Sequence, residues 1–167
     1  MRVDDLRLQF DFYYWAVSKI LEQAEQLSAE QFSGTPPIGD RSVRDLLAHL
    51  LDVEVSWREG WRCGIHRKDV PYIEADTFSS AAELTDRWRV EEIVLRESLD
   101  NLSDGDLDQT FIDGAEFDAV WKVMQHVLYE GMQHRSETAM LLTAYGHSPG
   151  DMTFAGFVLH ERRGGGQ

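Results

Sequence analysis

Four stretches of this chain repeat apolar residues at steps of three and four for about five turns or more, a period that admits little except amphipathic helices packed side by side. The first runs from Val3 to about Leu27, with Leu6, Phe10, Tyr13, Tyr14, Val17, Ile20, Leu21 and Ala24 on one face. Ser42 and Asp45 resemble a capping box ahead of the second, which continues to about Trp61. Ser80 and Glu83 open the third, carried by Leu84, Trp88, Ile93, Leu95 and Leu99 to about Leu102. Asp118 is a suitable N-cap for the fourth. There Val120, Trp121, Met124, Val127, Leu128, Met132, Ala139 and Leu142 lead to about Tyr145, before Gly146 and Pro149. The pattern predicts an all-α fold, a four-helix bundle.

The connections are uneven. Pro36, Pro37, Gly34 and Gly39 break the chain between the first two helices. A long loop, GIHRKDVPYIEADTF, joins the second to the third. Ahead of the fourth, Thr110, Phe111 and Ile112 precede Asp113-Gly114, a dipeptide suited to a small β-hairpin. After it, the apolar patch Phe154 to Leu159 can dock on the bundle or on a partner. At 167 residues the chain predicts one domain, over 1–160, with 161–167 as a disordered tail ending in GGGQ.

Charge narrows the partners. Sixteen basic residues against thirty acidic ones give −14, a field that repels phosphate backbones and anionic membranes, so neither nucleic acid nor membrane is expected. No apolar run reaches bilayer-spanning length, and MRVDDLRLQF lacks a signal peptide's apolar core. Cys63 is alone, reads as a small, partly buried hydrophobe, and suits a reducing compartment. The expectation is a soluble cytoplasmic protein.

One segment points to chemistry. HVLYEGMQHR places His126, Glu130 and His134 four residues apart, in a single column on the fourth helix. Two donors on one helix are readily completed by a third from a facing helix, and the second helix offers His49, set among Leu46, Leu47, Leu50 and Val53. His49, Glu130 and His134 would make a two-histidine, one-carboxylate set open to water or a small-molecule substrate. His126 is a fourth donor or, more simply, a rim residue. The spacing equally suits a hydrogen-bonded core histidine above an exposed polar stripe, and by itself decides nothing further. Around this set, Glu54 can bond a ligand's second ring nitrogen, Arg58 and Arg135 can hold an anionic substrate, and Tyr129 can donate a proton. Surface salt bridges and plain aromatic packing are their simpler readings. Trp57 and Trp61, four apart, suit core or dimer packing.

RSVRDLLAHLLDVEVSW, and then HVLYEGMQHRSETAMLLTAYGHSPGD, resemble the signature segments of the DinB/YfiT-like superfamily. The resemblance implies metal ligands at His49 and His134, the family's arginine at Arg135, and a middle ligand at Glu130, where histidine is usual. Carboxylate in place of imidazole favours harder cations, shifting preference from Ni²⁺ or Zn²⁺ toward Fe²⁺ or Mn²⁺, although Zn²⁺ accepts this set too. The resemblance further implies a homodimer and a thiol S-transferase using a low-molecular-weight thiol on small electrophiles. A metal-dependent hydrolase would use the same residues. A non-catalytic stress-response or ligand-binding dimer with a vestigial site is the alternative from another class.

Overall fold

The ends of the long helices show where local chemistry supplies a partner for unpaired backbone groups and where a distant residue does. The computed structural model describes residues 1–110 and 119–164. The expected hairpin around Asp113-Gly114, the Asp118 cap and residues 165–167 lie outside the described residues. Those described are helical or irregular, with no strand among them: α1 (Val3–Ala24), α2 (Ala29–Ser33), α3 (Val43–Cys63), α4 (Ala81–Asp100), α5 (Asp104–Leu107), α6 (Val120–Ala144) and α7 (Phe154–Gly164).

The Ser42–Asp45 box forms as expected: Asp45 N–H donates to Ser42 Oγ at 3.1 Å, and Ser42 N–H returns to Asp45 Oδ2 at 3.3 Å. At its other end α3 stops on Gly64, at φ +66°, a left-handed conformation that a side chain would disfavour. Ser80 caps α4 through Glu83 N–H, but the Glu83 carboxylate turns to Ser79 instead, whose N–H donates at 2.8 Å. A tertiary contact completes the start of α1, where Val3 N–H donates to Asp104 Oδ1 of α5 at 2.8 Å.

The four long helices enclose one core: α1 packs on α6 and α4, and α3 packs on α6 and α4. All eight apolar positions predicted for α1 are buried. Two expected core residues face outward. Ile93 is 58% exposed because Glu91 and Leu95, two residues to either side, take the inward stripe of α4. Met132 is 56% exposed, on the face of α6 opposite Val127 and Gly131. Cys63 is exposed at the end of α3, contrary to expectation. The short α2 and α5 are too brief to leave a periodic signature. The apolar patch near the C-terminus forms α7 and lies on α1, Phe157 stacking with Phe12 and Trp15 at 5.8 and 5.7 Å between ring centres. That helix runs on to Gly164, four residues beyond the edge drawn at 160.

The packing of α3 on α6 positions the site. His49 meets His134 with ring centres 4.8 Å apart, and Trp57 meets His126 at 5.0 Å. Eight residues forward on α3 thus match eight residues back on α6, so the helices run antiparallel in constant register, the two contacts about 12 Å apart along the seam.

Candidate metal centre

Between those two contacts lies Glu130, one turn from each histidine of its own helix. His49, Glu130 and His134 each present one donor atom, and no two of these atoms lie more than 4.8 Å apart. Helix α3 supplies the first and α6 the other two. Tetrahedral donors at 2.0–2.2 Å from a common ion lie about 3.4 Å from one another. The 3.3 Å between His134 Nε2 and Glu130 Oε2 already matches this.

The hydrogen bonds around His134 say which of its nitrogens faces the gap. Nδ1 lies 3.0 Å from Glu137 Oε2 and 3.3 Å from Arg41 Nη2, so a carboxylate and a guanidinium both face this nitrogen. Nε2 lies 3.3 Å from Glu130 Oε2, on the side of the gap. With the proton on Nδ1, Nε2 presents a lone pair beside the carboxylate, the donor pairing a cation needs; with a proton on Nε2 the same contact is a hydrogen bond to Glu130. Glu137 also accepts from Arg41 Nη2 at 2.9 Å, and its acidity is raised, first of all by the hydrogen bond with His134. Arg41 precedes Ser42, so the cap that begins α3 also brings this guanidinium beside His134.

Burial, then the neighbouring His134 and Arg41, hold the His49 pKa below its ordinary value, so the ring stays neutral and able to donate a lone pair. His134 is 5% exposed, whereas the Glu130 side chain keeps 31% of its surface, leaving the donor set closed on the helix side and open at the carboxylate. Asp52, one turn beyond His49, accepts from Ile73 N–H at 2.9 Å and ties the long loop to α3 beside the site. Its pKa is raised by burial.

The other expected residues fall elsewhere. Glu54 does not reach a histidine: it is fully buried, accepts a hydrogen bond from Tyr14 Oη at 2.5 Å, and burial pushes its pKa up to about 7. Arg58 cannot hold a substrate anion, because it is 4% exposed and paired with Glu91 and Glu59. Arg135 is spent on backbone carbonyls, donating to Tyr13 O at 3.0 Å and Gly131 O at 3.1 Å. Tyr129 points to solvent, 63% exposed. His126 packs edge-on against the buried Trp57, outside the donor triplet, and burial lowers its pKa.

Sequence reasoning missed Glu137 and Arg41. Glu137 had a local signal, lying three residues after His134 on the same helix face. Arg41 had none, since its place depends on how α3 meets α6.

No curated protein matches the chain. The sequence pattern of the DinB superfamily matches residues 13–138, which takes in all of α3, α6 as far as Thr138, and the whole donor triplet. With its all-helical architecture, the match over well more than half its length makes this chain a member of the DinB superfamily.

Proposed function

We propose that this chain is a four-helix-bundle enzyme that holds a divalent cation on His49, Glu130 and His134 and joins a low-molecular-weight thiol to a small electrophile. The observation that carries the reading is the meeting of His134 Nε2 and Glu130 Oε2 at 3.3 Å with His49 beside them, three donor atoms within 4.8 Å of one another. A bound divalent cation would supply Lewis acidity, lowering the pKa of a thiol or water next to it.

The protein's own groups do the holding and orienting. Glu137 and Arg41 hold the His134 ring from behind at Nδ1, the carboxylate being the kind of acceptor that stands behind metal-bound imidazoles. Neutral His49 is ready without first losing a proton. The exposed side of Glu130 is the edge at which substrates arrive. Beyond Arg41 and Glu137, a groove of about 290 Å³ between Ile38 and Met140 has room for a small apolar substituent. Overall, R–SH and R′–X give R–S–R′ and HX. Glu130 at the middle position favours Fe²⁺ or Mn²⁺ over the Ni²⁺ or Zn²⁺ of an all-histidine set. The outward stripe of Tyr129, Met132 and Met140 on α6 supports pairing as a homodimer, and sedimentation would measure it. Among the described residues no helix is long and apolar enough to cross a membrane, in keeping with a cytoplasmic setting.

The test is equilibrium dialysis against Zn²⁺, Ni²⁺, Fe²⁺ and Mn²⁺, followed by turnover with a panel of thiols and alkylating electrophiles. Wild-type protein should retain one equivalent of cation, and His134→Ala should weaken retention by more than about a hundredfold, beyond the usual effect of losing a group behind a ligand. A wild-type protein that retains no cation would sink the metal reading. Retention without turnover of any thiol would remove the transferase, and conversion of R′–X with water to R′–OH and HX at the same rate with or without thiol would make the protein a hydrolase.

A further inference from the structure

Tyr13, on α1, lies against α6 and reaches toward Glu54 of α3, its hydroxyl without a hydrogen-bond partner among the described residues. Its ring lies against α6 at Gly131, the residue that follows Glu130. A Cβ at that position would collide with Tyr13 Cε2 and lie 2.9 Å from Cδ2, so only glycine lets the ring approach this closely. At its far end the Tyr13 hydroxyl is enclosed near Glu54 of α3, and burial, reinforced by the charge of Glu54, holds its pKa well above the ordinary value. The backbone is fastened at the same level. Arg135 donates through Nη1 to Tyr13 O and through Nε to Gly131 O, its guanidinium 5.1 Å from the centre of the Tyr13 ring.

A glycine in mid-helix is a poorer choice than alanine for the stability of α6 alone. Its presence between the two α6 donors is accounted for by the ring it admits. We infer that Tyr13 and Gly131 are positioning residues: the tyrosine is a brace between α3 and the Glu130–His134 turn that sets how far His49 stands from the α6 donors. This rests on the reading that these three residues hold a cation. It assigns no new ligand; it explains what keeps donors from two helices at a fixed separation.

The test compares wild type with Gly131→Ala, Tyr13→Leu and the double variant, all full length. Zn²⁺ affinity is measured by competition with a chromophoric chelator, the visible spectrum is taken after loading with Co²⁺, and helix content is followed by circular dichroism. Each single variant should bind Zn²⁺ about tenfold more weakly at unchanged helix content, the low end of what loss of a supporting group costs a metal site. Each should also alter the Co²⁺ spectrum, which a change in global stability would not do. In the double variant the leucine makes room for the new methyl, and most of the affinity should return. Should Gly131→Ala fail to fold, Tyr13→Leu alone decides the matter. Wild-type affinity and spectrum in the folded single variants would overturn the brace and leave the metal site standing. Absence of Zn²⁺ and Co²⁺ binding by wild type would overturn the site, and the brace with it.

Discussion

Glu130 and Glu54 are two carboxylates in one helical core, and the fold treats them in opposite ways. Glu54 is sealed, its Oε1 accepting from Tyr14 Oη and its Oε2 without a hydrogen-bond partner among the described residues, while on the next turn of α3 the Arg58 guanidinium meets Glu91. Glu130 is partly open and faces His134 Nε2 at 3.3 Å. A buried polar group is tolerable when its complement is also built in. The first region is shut from solvent, with burial raising the Glu54 pKa and the Arg58–Glu91 pair matched in charge, and so belongs to the scaffold. The second is open at Glu130 and brings two imidazoles and a carboxylate within 4.8 Å of one another, which marks it as a place for a cation.

The sharpest way to break the comparison is to unbalance the sealed region. Arg58→Met leaves Glu91 facing only the half-exposed Arg87, and should destabilise the fold by about 3 kcal/mol in urea unfolding, the low end for breaking a buried pair. Zn²⁺ affinity should be unchanged if the two regions are separate.

Next in size is the pH response of Glu54. Its folded pKa of about 7 lies above the ordinary carboxylate value, so the folded state binds the extra proton and stability is greatest at the acid end of that interval. From about pH 4.5 to 7 this group should take away roughly 3 kcal/mol as pH rises. Glu54→Gln, compared with wild type in unfolding curves from pH 4.5 to 8, should flatten that fall. Identical slopes in the two proteins would show that Glu54 is charged at neutral pH like any other carboxylate.

The open region is probed from behind its ligand. Glu137→Gln keeps the shape but removes the charge that faces His134 Nδ1, and cation affinity should fall about 10- to 100-fold with little change in apo-protein stability. A large stability loss with unchanged affinity would reverse the roles assigned to the two regions. The smallest effect belongs to Tyr129→Ala, where an exposed ring outside the donor set should change stability by less than about 0.5 kcal/mol and leave cation affinity alone.

Much of the scaffold was legible because the rules that write it are local. Ser42 with Asp45 starts α3 and Gly64 ends it through groups at most a turn away, and the face of α1 follows from period alone. The site was only partly legible. Four-residue spacing stacks Glu130 under His134 whatever lies opposite, but which way that column points depends on the partner helix. Glu54, Arg58 and Arg135 sat close to the donors in sequence and were read as their helpers. Each proved to be turned into the interior, toward α1 or α4, because a helix carries neighbours in sequence to different sides.

The sequence by itself determined the lengths of the four long helices, the exclusion of a membrane-spanning segment from the described residues, and the superfamily to which the chain belongs. Each of these depends on residues near one another or on a pattern spread along the chain. The tertiary structure alone decided that His49 meets His134, that Arg41 joins Glu137 behind it, and that Tyr13 seats against Gly131. Those meetings follow from the antiparallel register of α3 on α6 and the place of α1 across them. Register is fixed by the fit of whole faces, and no local rule of spacing contains it.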